Sequence, residues 1–191
     1  MTKGMPKRAW ILTADEAHRG FRNLSAETKA GVLHQRAGEE WARGKLRAAF
    51  HLYLAAAKAG MGTAIETIAY FYDAGVGVKA DEDAALHWYR RAYRCGSGFA
   101  ANNIAAIWIK RKNTRRALLW FHRAVDGGDG DANLEIAKIH LSKSQIGKAV
   151  QYLNQASTSA WATQGSKDEA RQLLKELRRG MGSKLHRGRV Q

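Results

Sequence analysis

The chain has 191 residues, and its 32 Lys and Arg against 17 Asp and Glu give a formal net charge of +15. Apolar residues make up 45%, enough for a sizeable core and too many for a disordered chain. A single cysteine, Cys95, excludes an internal disulfide, and no stretch approaches the roughly 18 apolar residues of a membrane span.

At the N-terminus, Lys3, Lys7 and Arg8 precede the short apolar run Ala9-Trp10-Ile11-Leu12, which stops at Thr13-Ala14-Asp15-Glu16. A secretory h-region needs about 7–15 apolar residues, so the chain is expected not to be secreted and to be cytoplasmic. Its 33 Ala and 16 Leu outnumber 9 Ile and 6 Val, which favours helix over strand. Pro6 is the only proline, so glycines such as Gly44, Gly60, Gly96, Gly127 and Gly128 must punctuate the helices.

Thr13-x-x-Glu16 reads as a capping box opening a short helix over about 14–22. Ser25 is placed to cap a helix reaching Arg43. A repeat then begins. Ala49-x3-Tyr53-x2-Ala56-x3-Gly60 is matched by Ala85-x3-Tyr89-x2-Ala92-x3-Gly96 and by Ala117-x3-Phe121-x2-Ala124-x3-Gly128, and Ala149-x3-Leu153-x2-Ala156 closes the series. Ala56, Ala92, Ala124 and Ala156 are spaced by 36, 32 and 32 residues, a period that belongs to stacked helical hairpins. These segments read as second helices. Ile68-Ala69-x2-Tyr72, Ile104-Ala105-x2-Trp108 and Ile136-Ala137-x2-His140 occupy equivalent places in the first helices, with Ala37 filling that role in the first hairpin. The step from first-helix to second-helix alanine is 12 residues in three hairpins and 16 from Ala69 to Ala85, with the extra length in the turn Gly75–Asp81. After the hairpins, Ser166-x-x-Glu169 reads as a capping box, and Ala170, Leu173, Leu174 and Leu177 share one face of a final helix.

The run Gly75-x-Gly77-Val78-x2-Asp81-x3-Ala85-x2-Trp88-Tyr89-Arg90-Arg91-Ala92-x3-Gly96 resembles a Sel-one-like repeat, a relative of the tetratricopeptide repeat. The other three hairpins have the shorter tetratricopeptide-like turn, and the resemblance covers roughly residues 28–157. Ala69, Ala105 and Ala137 stand where the family has a second glycine in its first helix, Tyr93 stands for an alanine and His140 for an aromatic. The resemblance implies an all-α, right-handed superhelical solenoid of antiparallel hairpins, and a non-enzymatic, bacterial-style interaction or regulatory module. An inhibitor or immunity role is one version of that. The expected organisation is an N-terminal segment (1–27), hairpins at about 28–60, 61–96, 97–128 and 129–160, a capping helix (161–180) and a disordered basic tail (181–191).

Residues that would carry chemistry are sparse. Gly75-Val76-Gly77-Val78 lacks the Gly-Lys-Ser/Thr ending of a phosphate loop and follows no strand. Asp81, Glu82 and Asp83 suit the positive end of a helix dipole better than a metal. Seven scattered histidines form no zinc motif, and Cys95 has no recognisable base. No enzyme, metal or cofactor is expected.

The charge is uneven. Ala84–Val125 contains Arg90, Arg91, Arg94, Lys110, Arg111, Lys112, Arg115, Arg116 and Arg123, and no acid. Residues 178–191 add five more basic residues, again without acid. Such a block is either a solvated face or the electrostatic footprint of an acidic partner. By repeat position a concave groove would present Glu66, Tyr70, Asn102, Asn103, Ala106, Lys110, Glu135 and Lys138. There the asparagines would hold a peptide backbone unless Asn103 bonds within its own repeat, and the lysines would meet carboxylates. The expected partner is an acidic protein segment bound by groove and basic face. The alternative is a nucleic-acid-binding accessory protein that uses the basic face and the C-terminal tail, with Trp88, Tyr89, Tyr93, Trp108, Trp120 and Phe121 of the same segment as candidate stacking platforms.

Overall fold

In the computed structural model residues 25–187 are described, with side chains through residue 180. The expected short helix over 14–22 lies outside them. The described residues form nine helices and no strand: α1 (Ala26–Ala42), α2 (Leu46–Lys58), α3 (Gly62–Ala74), α4 (Glu82–Arg94), α5 (Gly98–Lys110), α6 (Thr114–Asp126), α7 (Ala132–Ser142), α8 (Ile146–Thr158) and α9 (Gln164–Arg187). Each packs chiefly on its neighbours in sequence, so the fold is an all-α repeat solenoid.

Local chemistry sets where several helices begin. Ser25 Oγ accepts from the Thr28 N–H at 3.2 Å, Ser97 Oγ from Ala100 at 3.1 Å, and Asn113 Oδ1 from Arg116 at 3.1 Å. Asp81 Oδ1 accepts from the N–H groups of Asp83 and Ala84 at 3.0 and 2.9 Å. Each satisfies a donor that the first turn would otherwise leave unpaired.

Twelve alanines at the repeat positions make the interior. Ala37, Ala69, Ala105 and Ala137 from the first helices, and the Ala49, Ala56 and equivalent pairs from the second, are all at most 1% exposed. A methyl group there lets helix axes approach, and Tyr53, Tyr89, Phe121 and Leu153 fill the spaces between them. One apolar cluster runs from Ala37 to Ile139. A smaller one joins Leu134, Ala137, Leu153, Ala156, Ala170 and Leu174 at the C-terminal end.

The long turn between α3 and α4 is not a loose insertion. Gly75 closes α3 in the left-handed region (φ 71°), and Gly77 has φ 67°. A Cβ at Gly77 would collide with the Leu46 carbonyl, so the turn lies directly on the backbone that opens α2. The second hairpin is thereby seated on the first.

Two details at the C-terminal end differ from expectation. The residue capping α9 is Thr163, whose hydroxyl accepts from the Ser166 N–H at 3.3 Å; Ser166 itself lies in the first turn. The cause is distant in sequence: Asp131 Oδ1 accepts from the Thr163 N–H at 2.7 Å and from its hydroxyl at 3.1 Å, which fixes the helix entrance. The helix also continues to Arg187, beyond residue 180 where a loose tail was expected to start. Gly180 and Gly182 are weak helix formers but not breakers, and no proline stops the helix.

Candidate functional site

The acid-free block folds into α4, α5 and α6, and only two of its nine cations meet carboxylates among the described residues. Lys110 Nζ donates to Asp73 Oδ1 at 2.8 Å. Arg111 donates to Glu82 Oε2 and Asp83 Oδ1, both at 2.9 Å. These hydrogen bonds, to Glu82 first and then to Asp83, hold the Arg111 pKa above its ordinary value.

Three other arginines lie over indoles. Arg91 is 5.2 Å from the Trp88 ring centroid, Arg116 is 4.5 Å from Trp108, and Arg123 is 4.5 Å from Trp120. This stacking holds a guanidinium in place without cancelling its charge. Arg90, Arg94, Lys112 and Arg115 are exposed and have no ion-pair partner among the described residues.

Part of this surface is concave. A cavity of about 420 Å³ lies elsewhere on the molecule, whereas the basic one, between α4 and α6, measures about 330 Å³ and is lined by His87, Arg90, Tyr93, Arg94 and Trp120. Tyr93 meets Trp120 edge to face, with centroids 5.2 Å apart. Arg123, over Trp120, adds its charge at the rim. No carboxylate lines the cleft.

The same geometry removes most of the expected stacking platforms. Trp88, Tyr89, Trp108 and Phe121 are all at most 9% exposed, because the repeat commits those positions to the core. Tyr93 and Trp120 alone of the six are half-buried and reach the cleft.

The groove is divided by α5. On the α3 side, Glu66, Tyr70 and Asn103 meet in the cavity of about 420 Å³, together with Trp41, Thr67, Asp73, Tyr89, Phe99 and Ala100. On the α7 side, Asn102, Ala106, Lys110 and Glu135 line a second cavity of about 430 Å³ with Ile109, Phe121, Asp131 and Ser166. Lys138 lies near the α5–α6 turn in a third, with Lys112 and Glu135.

Neighbouring asparagines have different roles. Asn102 Nδ2 donates to Asp129 Oδ2 at 2.7 Å, tying α5 to the turn before α7. Asp129 is buried, which raises its pKa against the lowering effect of the Asn102 hydrogen bond. The Asn103 side chain is exposed and makes no hydrogen bond to another described residue.

The two groove lysines, expected to meet a partner's carboxylates, already have internal ones. Lys110 pairs with Asp73, and Lys138 donates to Glu135 at 3.0 Å and Glu169 at 2.9 Å. Burial pulls the Lys138 pKa down, but its hydrogen bonds to Glu169 and Glu135 prevail and raise it. Trp41, Asp73 and Phe99 were missing from the sequence reading of the groove. Phe99 had a signal: counted back from Ile104, it takes the place held by Thr63 and Asp131 in the neighbouring repeats.

No described helix is long and apolar enough to cross a membrane. No group of three His, Cys, Asp or Glu among the described residues could hold a metal ion.

The Sel1 repeat family model matches residues 26–61, 66–97 and 107–129, leaving the α7–α8 hairpin outside. No curated protein matches the sequence. Among solved structures, the chain is similar to a Sel1 repeat protein from Oxalobacter formigenes at 22% identity and a TM-score of 0.61, covering 76% of this chain and 64% of that one. It is also similar to c5321, a protective antigen of uropathogenic Escherichia coli strains with an SLR fold, at 17% identity and a TM-score of 0.61, covering 75% of this chain and 33% of that one. The chain therefore spans less than two-thirds of either relative's length, and at these identities the likeness is one of fold. With three matched copies of the motif in a stack of helical hairpins, the chain belongs to the Sel1-repeat proteins.

Proposed function

We propose that this chain is a non-enzymatic protein-interaction module that holds an acidic segment of a partner protein against its basic face, centred on the cleft between α4 and α6. Sel1-repeat proteins generally mediate protein–protein interaction, which supports the class of function. One observation carries the choice of partner: Arg90 and Arg94 line a cleft with Trp120 and no carboxylate, and Arg123 lies over that same indole. A carboxylate entering there meets guanidinium groups that need not first break internal ion pairs. Guanidinium also binds carboxylate in a bidentate fork, which gives direction as well as attraction. The pre-formed helical surface limits the ordering cost of binding. The adaptor or inhibitor would act by occupying the partner's acidic segment, in a cytoplasmic setting.

The groove contributes less to holding acid than its lysines suggested. Lys110 and Lys138 are paired internally, so a partner carboxylate would have to displace Asp73, or Glu135 and Glu169. The basic face is therefore the stronger part of the proposal.

Fluorescence anisotropy with a labelled peptide of alternating Glu and Leu tests it, with a single-stranded oligonucleotide of equal length in parallel. The peptide is expected to bind and to lose at least about tenfold in affinity in the Arg90→Gln/Arg94→Gln/Arg123→Gln variant. Unchanged peptide affinity in that variant overturns the proposal. Tighter binding of the oligonucleotide, with the same loss, assigns the face to nucleic acid instead.

A further inference from the structure

The cavity between α3 and α5 has the opposite character to the basic cleft. Its walls carry Glu66 and Asp73, and three of its rings are exposed: Trp41 at 37%, Tyr70 at 48% and Phe99 at 65%. Asp73 is held by Lys110 at 2.8 Å, but the half-buried Glu66 carboxylate has neither an ion pair nor a hydrogen bond among the described residues. With no internal partner to displace, the Glu66 carboxylate is available to an incoming cation beside the exposed rings. Ring faces attract a cation that the carboxylate then binds directly. Burial first, then the charges of Asp73, Tyr70 and Glu66, raise the pKa of the Tyr89 hydroxyl on the cavity wall, which accords with a negative potential there.

We infer that this cavity is a second binding site, which takes an arginine or lysine side chain from an extended segment of a partner protein. Glu66 supplies the counter-charge, and Trp41, Tyr70 and Phe99 supply the apolar and ring surface for the side-chain stem and its cationic head. The exposed Asn103 amide offers a donor and an acceptor to the backbone of the same segment. The segment can continue across Ala106 and Ile109 into the second cavity on the α7 side. Selectivity for cations is local and runs against the +15 charge of the whole chain. It belongs to a different surface from the basic cleft and does not depend on what that cleft binds.

Phage display of random heptapeptides on the full chain tests the site, with the Arg90→Gln/Arg94→Gln/Arg123→Gln variant as a second target. Peptides containing arginine or lysine are expected on both targets, since neither the cavity nor Glu66 is altered in the variant. A selected peptide, measured by anisotropy, should weaken by about tenfold for Glu66→Gln, the loss of one ionic hydrogen bond. It should weaken further when Phe99→Ala is added. Both positions are solvent-accessible, and circular dichroism verifies that the variants keep their helices. Enrichment of acidic or uncharged peptides only, or of none, overturns the inference. So does an affinity within twofold of the original for Glu66→Gln. Loss of acidic-peptide binding in the triple variant concerns the cleft alone, so failure at one site is distinguishable from failure at the other.

Discussion

Gly98, the first residue of α5, faces Gly127, just past the end of α6. A Cβ on Gly98 would fall on the Gly127 carbonyl, and one on Gly127 would come within 2.8 Å of the Gly98 Cα. Neither backbone can yield as a flexible side chain could. Gly31, inside α1, is the opposite case, with no atom within 4 Å of a built Cβ. Gly98→Ala should destabilise the fold by about 1–3 kcal/mol through overpacking. Gly31→Ala should stabilise it by about 0.5–1 kcal/mol, because glycine loses more freedom in a helix. Urea-unfolding midpoints that move in opposite directions would bear this out; a shift in the same direction would refute it. Asp129 offers a pH test. Its folded pKa is raised above the ordinary aspartate value of 3.8, so the folded state holds that proton more tightly than the unfolded chain. Stability from this group is present below 3.8 and is lost as pH rises through the raised folded value. The urea midpoint of the native chain relative to Asp129→Asn should therefore fall as pH rises through that window. A difference that stays flat or rises would show that burial does not dominate at Asp129.

The C-terminal helix α9 completes the stack by covering the last apolar edge. Ala170 and Leu174 are buried on it, with Leu173 and Leu177 partly so, against Leu153 and Ala156 of α8. Lys138 of α7 reaches Glu169, and Asp131 holds Thr163, so two polar ties accompany the apolar face. Leu174→Ala should cost about 2–4 kcal/mol, and in a repeat array the loss should be local. Hydrogen exchange should accelerate in α8 and α9 and stay near its original rate in α3 and α4; uniform acceleration would mean that the array unfolds as one unit. Helix positions were legible in the sequence because the small residues recur at fixed steps, and each such alanine proved buried. The cap of α9 was not: Ser166-x-x-Glu169 satisfies a local rule, but Thr163 is held by a carboxylate 32 residues earlier.

For the whole molecule, the sequence located the cations but not their neutralisation. Glu82 and Asp83 lie just before the acid-free block, and folding brings them onto Arg111. Asp73 lies 37 residues before Lys110 and pairs with it. These pairings depend on how hairpins stack, which no linear window reveals. Glu66, Tyr70 and Asn103, placed together by repeat position, do line one cavity, but its aromatic wall was not legible, because Trp41 comes from a different repeat and Phe99 from a helix start. The molecule therefore presents two surfaces of opposite polarity: a basic cleft on the second helices and an acidic, aromatic cavity between first helices. Trp120 gives the cleft an optical handle. Its indole lies under Arg123, against Tyr93, on the wall that a ligand would cover. Binding of the proposed acidic segment would alter the electric field across that indole, one of six in the chain, so its occupancy would be read as the part of the intrinsic emission shift that Trp120→Phe removes.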